Sequence, residues 1–323
     1  MKKLLIVMLA LMGFALTPQR VEAQQIPQYT HYMFNSYLIN PAEAGTHNFY
    51  QIRSTNRYQW VGVRDAPQTY SISAYGPHAE KSMGFGGAFS MDITGPSHRM
   101  GGSATYGYNM QLNRDMRISG GVSLGFIMFR VDGTKLSLGD AATGYNDPAI
   151  FSNSKSKFTP DASLGVYLYS MHYIVGLSAH QLFGQTLFRT ETNRRDDYGD
   201  IIVDDEGDPL NYYGINRLRQ HLMLNGGYIL PINRDWTVKP SALIKYMIGA
   251  PLQVDINARA VFQNMAWFGA TARLLDGFAL LFGYEHEGKI MIGYSFDFSL
   301  TGIRRHHGGS HEVMIGYKFD KLK

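Results

Sequence analysis

Residues 289–300 read KIMIGYSFDFSL. Side chains alternate across a strand with period two. Ile290, Ile292, Tyr294, Phe296, Phe298 and Leu300 therefore share one face, and Met291, Gly293, Ser295, Asp297 and Ser299 share the other. One face is apolar; the other is small, polar or charged. A water-soluble sandwich alternates in the same way, so the decision rests on how often the pattern returns. Leu252, Val254, Ile256, Ala258, Ala260 and Phe262 alternate with Gln253, Asp255, Asn257, Arg259 and Val261. Ala266, Phe268, Ala270, Ala272 and Leu274 oppose Trp267, Gly269, Thr271 and Arg273, and Val313, Ile315, Tyr317 and Phe319 oppose Glu312, Met314, Gly316 and Lys318.

Patterning of this kind predicts strands at 48–58, 69–75, 83–93, 99–112, 116–131, 161–169, 173–183, 220–230, 236–248, 252–263, 266–275, 278–285, 289–300 and 312–319. About fourteen strands closed into a ring enclose too wide a space for their own side chains to fill. An apolar exterior and a polar lumen resolve that mismatch. The fold class expected is all-β: a closed antiparallel transmembrane β-barrel of about 14 strands with a short irregular N-terminal arm. The connections agree. Alternate ones contain only 76–82, 113–115, 170–172, 231–235, 264–265 and 286–288, whereas the two longest, 132–160 and 184–219, fall in the opposite class. Short periplasmic turns and long outer loops have that arrangement. Tyr58, Trp60, Trp236 and Trp267 near strand ends are read as interfacial girdles.

Composition narrows the function. Charged residues are 17% of the 323 and aromatics 13%, with 35 Gly and no Cys. The missing cysteines exclude disulfides, thiolate metal sites, a thiol nucleophile and a lipoprotein anchor. A net charge of +4 is too small and too dispersed to recommend nucleic acid as a partner. Residues 1–23 read as a signal peptide: Lys2 and Lys3, an apolar run from Leu4 to Leu16, then Val21-Glu22-Ala23. Residues 24–45 are then an irregular arm, periplasmic or lumen-facing, and 46–323 the outer-membrane barrel. No later apolar run is long enough for a helical span, so a membrane form must be a closed barrel.

Chemistry-bearing patterns are few. Gly121-Val122-Ser123-Leu124-Gly125 has the nucleophile-elbow spacing but lies within a predicted strand. Gly283 to Lys289 has the phosphate-loop spacing, yet Ile290 stands where Ser or Thr is needed, so a hairpin turn is expected. The acidic run Asp196, Asp197, Asp200, Asp204, Asp205, Glu206 and Asp208 is flanked by Arg194, Arg195, Arg217 and Arg219 and reads as a self-paired loop rather than a calcium site. His306, His307 and His311 read as a polar turn rather than a metal site. No catalytic residue, cofactor or metal is assigned, and no enzymatic activity is expected. Asp255, Arg259, Arg273, Glu285, Asp297, Glu312 and Lys318 are expected to face the lumen, either pairing with one another or lining a pore or a surface for an inserted segment.

The arm and first hairpin resemble a known family. Within YTHYMFNSYLINPAEAG (29–45), Tyr29, Tyr32, Asn35, Asn40, Pro41, Ala42, Ala44 and Gly45 fill the N-terminal signature of the PorP/SprF family of the type IX secretion system. Arg57, Gln59 and Trp60, then Pro67, Thr69 and Tyr70, match its R-x-Q-W and P-x-T-Y segments, and Asp92, Gly95 and Pro96 a D-x-x-G-P turn. Tyr106-Gly107-Tyr108 departs from the family's Y-A-Y pair, and 184–219 matches no family motif. The resemblance implies a barrel in the outer-membrane lipid, working with the translocon or periplasmic ring proteins and with the terminal domain of a secreted surface protein. Tyr29, Tyr32, Asn35, Asn40, Pro41, Ala42, Gly45, Arg57, Gln59 and Trp60 are the expected partner-binding set. The alternative is a passive or substrate-specific channel.

Overall fold

The computed structural model describes residues 26–132, 135, 155–193 and 211–319. The expected signal peptide and the acidic run 196–208 lie outside the described residues. In chain order the strands are β1 (Tyr50–Tyr58), β2 (Gln68–Pro77), β3 (Met83–Thr94), β4 (Ser97–Gln111), β5 (Arg117–Val131), β6 (Lys155–Tyr169), β7 (Tyr173–His180), β8 (Thr186–Asn193), β9 (Asn211–Arg217) and β10 (His221–Tyr228). They continue with β11 (Leu230–Pro231), β12 (Trp236–Met247), β13 (Gln253–Phe262), β14 (Ala266–Arg273), β15 (Gly277–His286), β16 (Ile290–Ser299) and β17 (Ser310–Phe319).

Fourteen of these form one antiparallel ring. Consecutive strands pair from β1 to β7 and from β12 to β17; β7 pairs with β10, β10 with β12, and β1 with β17. The two-residue β11 extends the line of β10 along β12. β8 and β9 form a separate hairpin within the longest connection, where no strand was expected. The chain enters β1 and leaves β17 at the same end of the ring as the short turns. We call this the turn end. The ends of β5 and β7 and the starts of β6 and β10, which the long connections join, lie at the other, loop end.

The side-chain alternation has the expected sense. On β16, Ile292 is 54% exposed and Met291 5%; on β17, Ile315 is 51% exposed and Met314 0%. Leu280, Phe282, Ile256 and Phe268 also face outward. Only an apolar solvent makes this inversion favourable, because apolar surface is driven out of water and not into it. One assignment needs correction. Trp267 faces the interior at 4% exposure. It shares the parity of Gly269, Thr271 and Arg273, which outweighs its position near a strand end. Trp236 faces outward and packs on Phe262 at 4.9 Å between ring centroids.

Candidate functional site

The lumen is occupied by the chain's own N-terminal arm. From Tyr29 to Gly45 the arm runs through the interior, and most of its residues are buried. Its path is irregular, with two short 3-10 turns, Ser36–Leu38 and Pro41–Gly45. Asn40-Pro41 sets the second turn. The residue before a proline is biased away from helix, and Asn40 is extended at φ −151° and ψ 113°. Its Oδ1 accepts from the Ala42 N–H at 3.0 Å, while Pro41 starts the turn where no N–H is needed.

In the loop-end half of the lumen the arm is held by charge. The Thr30 N–H donates to Glu312 Oε2 and the His31 N–H to Glu312 Oε1, both at 2.8 Å. His31 Nδ1 also lies 2.8 Å from Glu312 Oε1. The Thr30 hydroxyl donates to Asp297 at 2.9 Å, and it accepts from Arg57 Nη1 at 2.9 Å and Arg273 Nη2 at 3.1 Å. Behind it, Arg57 pairs with Asp297 (2.6 Å) and Glu312 (3.3 Å), and Arg273 with Asp297 (3.1 Å) and Asp255 (3.5 Å). These charges come from β1, β13, β14, β16 and β17, so the network fastens the arm to five strands at once.

Mid-lumen contacts are mostly aromatic. Phe34 packs on Trp267 at 4.2 Å, with the Arg259 guanidinium 4.0 Å from its ring centroid. Tyr37 stacks on Tyr75 at 4.5 Å and donates its hydroxyl to Thr105 Oγ1 at 2.6 Å. Burial pushes the Tyr32 phenol up to about 12, with its contact to Ser241 Oγ working the other way.

Towards the turn end the arm is held by close backbone approach. A Cβ at Gly84 would lie 2.4 Å from the Gly45 Cα, one at Gly121 2.4 Å from the Ala42 nitrogen, and one at Gly165 2.0 Å from Asn40 Oδ1. The wall under Asn40–Gly45 therefore has to be glycine on β3, β5 and β6. Hydrogen bonds complete the seat: Ser119 Oγ donates to the Ala42 carbonyl (2.7 Å), Asn109 Nδ2 to the Gly45 carbonyl (2.8 Å), and Asn40 Nδ2 to the Val166 (3.2 Å) and Leu177 (3.3 Å) carbonyls. Buried carbonyls need such donors.

The candidate residues separate by position. Tyr29, Tyr32, Asn35, Asn40, Pro41, Ala42 and Gly45 lie on the arm inside the lumen, and Arg57 bonds the arm's Thr30 from β1. Gln59 and Trp60 lie past the end of β1 in the loop-end connection, where the Trp60 N–H donates to Ser310 Oγ at 3.1 Å. Asp255, Arg273, Asp297 and Glu312 belong to the Thr30 network; Glu285 and Lys318 pair with each other; Arg259 stands apart over Phe34. The Gly121–Gly125 motif runs along β5, and Gly283–Ile290 is the β15–β16 hairpin, with Glu287 and Gly288 at φ 50° and 67°. The His311 ring bonds Tyr294 OH at 2.6 Å and His307 accepts from the Gly309 N–H, so the three histidines do not converge. No metal-holding group of three or more His, Cys, Asp or Glu occurs among the described residues. Sequence reasoning missed Arg53 and Lys239 as interior cations; Lys239 shares the parity of Ser241 and Leu243, which was the available signal.

Comparison with known proteins agrees with this architecture. No curated protein matches the chain. Among solved structures, it is similar to the Pseudomonas putida toluene transporter TodX, with 11% identity, a TM-score of 0.52, and 94% of this chain and all of that one covered. It is also similar to the Ralstonia pickettii toluene transporter TbuX, with 9% identity, a TM-score of 0.50, and 95% and 96% covered. At those identities the likeness shows the fold alone. The model of the type IX secretion system membrane protein family PorP/SprF matches residues 21–317. The chain belongs to that family.

Proposed function

We propose that this member of the PorP/SprF family sits in the outer membrane with its turn end toward the periplasm, and is a non-enzymatic component of the type IX secretion system. In this role it supports export or surface attachment of large secreted proteins. Its partners are the outer-membrane lipid, the translocon or its periplasmic ring, and the terminal domain of a secreted surface protein. The observation that carries the proposal is the occupied lumen. A wall that dedicates two arginines, three carboxylates and a floor of glycines to one internal segment is built to hold that segment. A diffusion pore has no use for such a seat.

The test is deletion of residues 24–45. We expect the barrel to remain heat-modifiable and in the outer membrane while export of its partner is lost. Normal export by that deletion would contradict a docking role for the arm. A substrate-specific channel is the second reading, suggested by the fold shared with the toluene transporters TodX and TbuX. Planar-bilayer recording separates the two: the intact chain is expected to be silent, and steady wide currents would favour the channel.

A further inference from the structure

A second feature of the lumen is not explained by holding the arm. Near the turn end, a cavity of about 460 Å³ lies between the arm and the wall formed by β6, β7, β10 and β12. That volume is in the range of small-ligand sites. Arg53, Lys239 and Arg259 line it, with Tyr32, Phe34 and Tyr228 among its aromatic walls.

Lys239 and Arg259 occupy directly opposed positions across β12 and β13. Like charges facing each other in a sheet destabilise it, and guanidinium nitrogens buried without a partner are costly. None of the three cations has an ion pair among the described residues. Arg53 donates only to Gln51 Oε1 (2.8 Å) and the Met291 sulfur (3.6 Å). Arg259 Nε and Nη1 are buried with no hydrogen-bond partner. The single carboxylate in the lining, Glu43, bonds His47 through Oε1 at 2.8 Å, its Oε2 is buried without a partner, and it forms no ion pair with any of the three cations. Glu285, whose charge acts on both Lys239 and Arg259 from beyond the lining, is held by Lys318.

We infer that this cavity is an anion site that takes a carboxylate carried on an aromatic or apolar body, with Arg259 and Lys239 as its principal donors. A guanidinium with free N–H groups suits a planar carboxylate, and the surrounding rings suit the apolar body. Two sources share this chemistry, the C-terminal end of a polypeptide and a free aromatic acid. Only the choice of the first rests on the secretion role proposed above.

The test is calorimetric titration of the purified full-length barrel in detergent. The probes are N-acetyl-Ala-Phe as free acid, the same dipeptide as C-terminal amide, and benzoate. We expect the amide to bind about 10-fold or more weakly than the acid. Arg259→Gln and Lys239→Gln should each lower affinity for the acid by a similar factor, heat-modifiability showing that both variants fold. The dipeptide binding more tightly than benzoate assigns the site to a chain end; equal affinities assign it to a free acid. Equal binding of acid and amide, no binding of either, or unchanged affinity in both variants would overturn the site. The assay uses the barrel alone, so its result is separate from whether residues 24–45 are needed for export.

Discussion

The two halves of the arm are held by opposite means. At Thr30 and His31 the wall supplies Arg57, Arg273, Asp297 and Glu312, and the arm is gripped by charge-assisted hydrogen bonds. At Asn40–Gly45 the wall supplies no charge: the backbone at Gly84, Gly121 and Gly165 lies against the arm, the neutral side chains of Ser119 and Asn109 bond its carbonyls, and the arm is held because it fits. Directional bonds to long side chains can be exchanged for bonds to water or to another segment. A close-packed backbone seat cannot be exchanged piecemeal; it releases only when the segment leaves. The loop-end half is therefore the end from which the arm can be loosened, and the turn-end half is the anchor.

Substitutions can break this contrast. The largest effect is expected from Arg57→Met. It strips Asp297 and Glu312 of a buried partner and should cost about 3–5 kcal/mol, the penalty typical of a broken buried ion pair. Urea unfolding followed by tryptophan fluorescence reads it. A loss below about 1 kcal/mol would mean that the network is solvated and not gripping. Next is Gly121→Val, whose Cβ meets the Ala42 nitrogen and the Pro41 carbonyl carbon at 2.4 Å. Overpacking against backbone should cost about 1–3 kcal/mol and expel the turn-end half, giving bilayer currents that Arg57→Met does not give. Equal currents from both variants would erase the distinction between anchor and loosening point. The smallest effect is Tyr37→Phe, which removes one bond to Thr105 at about 1 kcal/mol. Thr105 keeps Ser123 as a partner, so the stacked Tyr37–Tyr75 pair should persist and the barrel stay silent.

The barrel was legible because it is written in period two. Every strand of the ring shows in the alternation, and KIMIGYSFDFSL alone carries both faces. Trp267 shows where that legibility stops: aromatic rings near strand ends occur both in girdles and in interiors, and only parity separates them. The β8–β9 hairpin carries no clear alternation in its sequence and is not part of the ring. The arm was marked as special by its motif, but its seat could not be read. Gly84, Gly121 and Gly165 are far apart in the chain and become one surface only when β3 to β6 stand side by side. Lys239 was overlooked although the strand predicted at 236–248 contains it, and its opposition to Arg259 exists only in the register of β12 on β13.

The central claim is that residues 29–45 lie inside the barrel, and it can be tested in the native membrane. A Cβ at Gly107 would stand 3.5 Å from the Ala44 Cβ, within the Cβ separation of a disulfide, and the chain has no cysteine of its own. In isolated outer membranes, Ala44→Cys with Gly107→Cys should oxidise to an intrachain disulfide under mild conditions, recovered as one cross-linked peptide by mass spectrometry. Two free thiols that both react with a water-soluble maleimide would show that the arm lies outside the lumen.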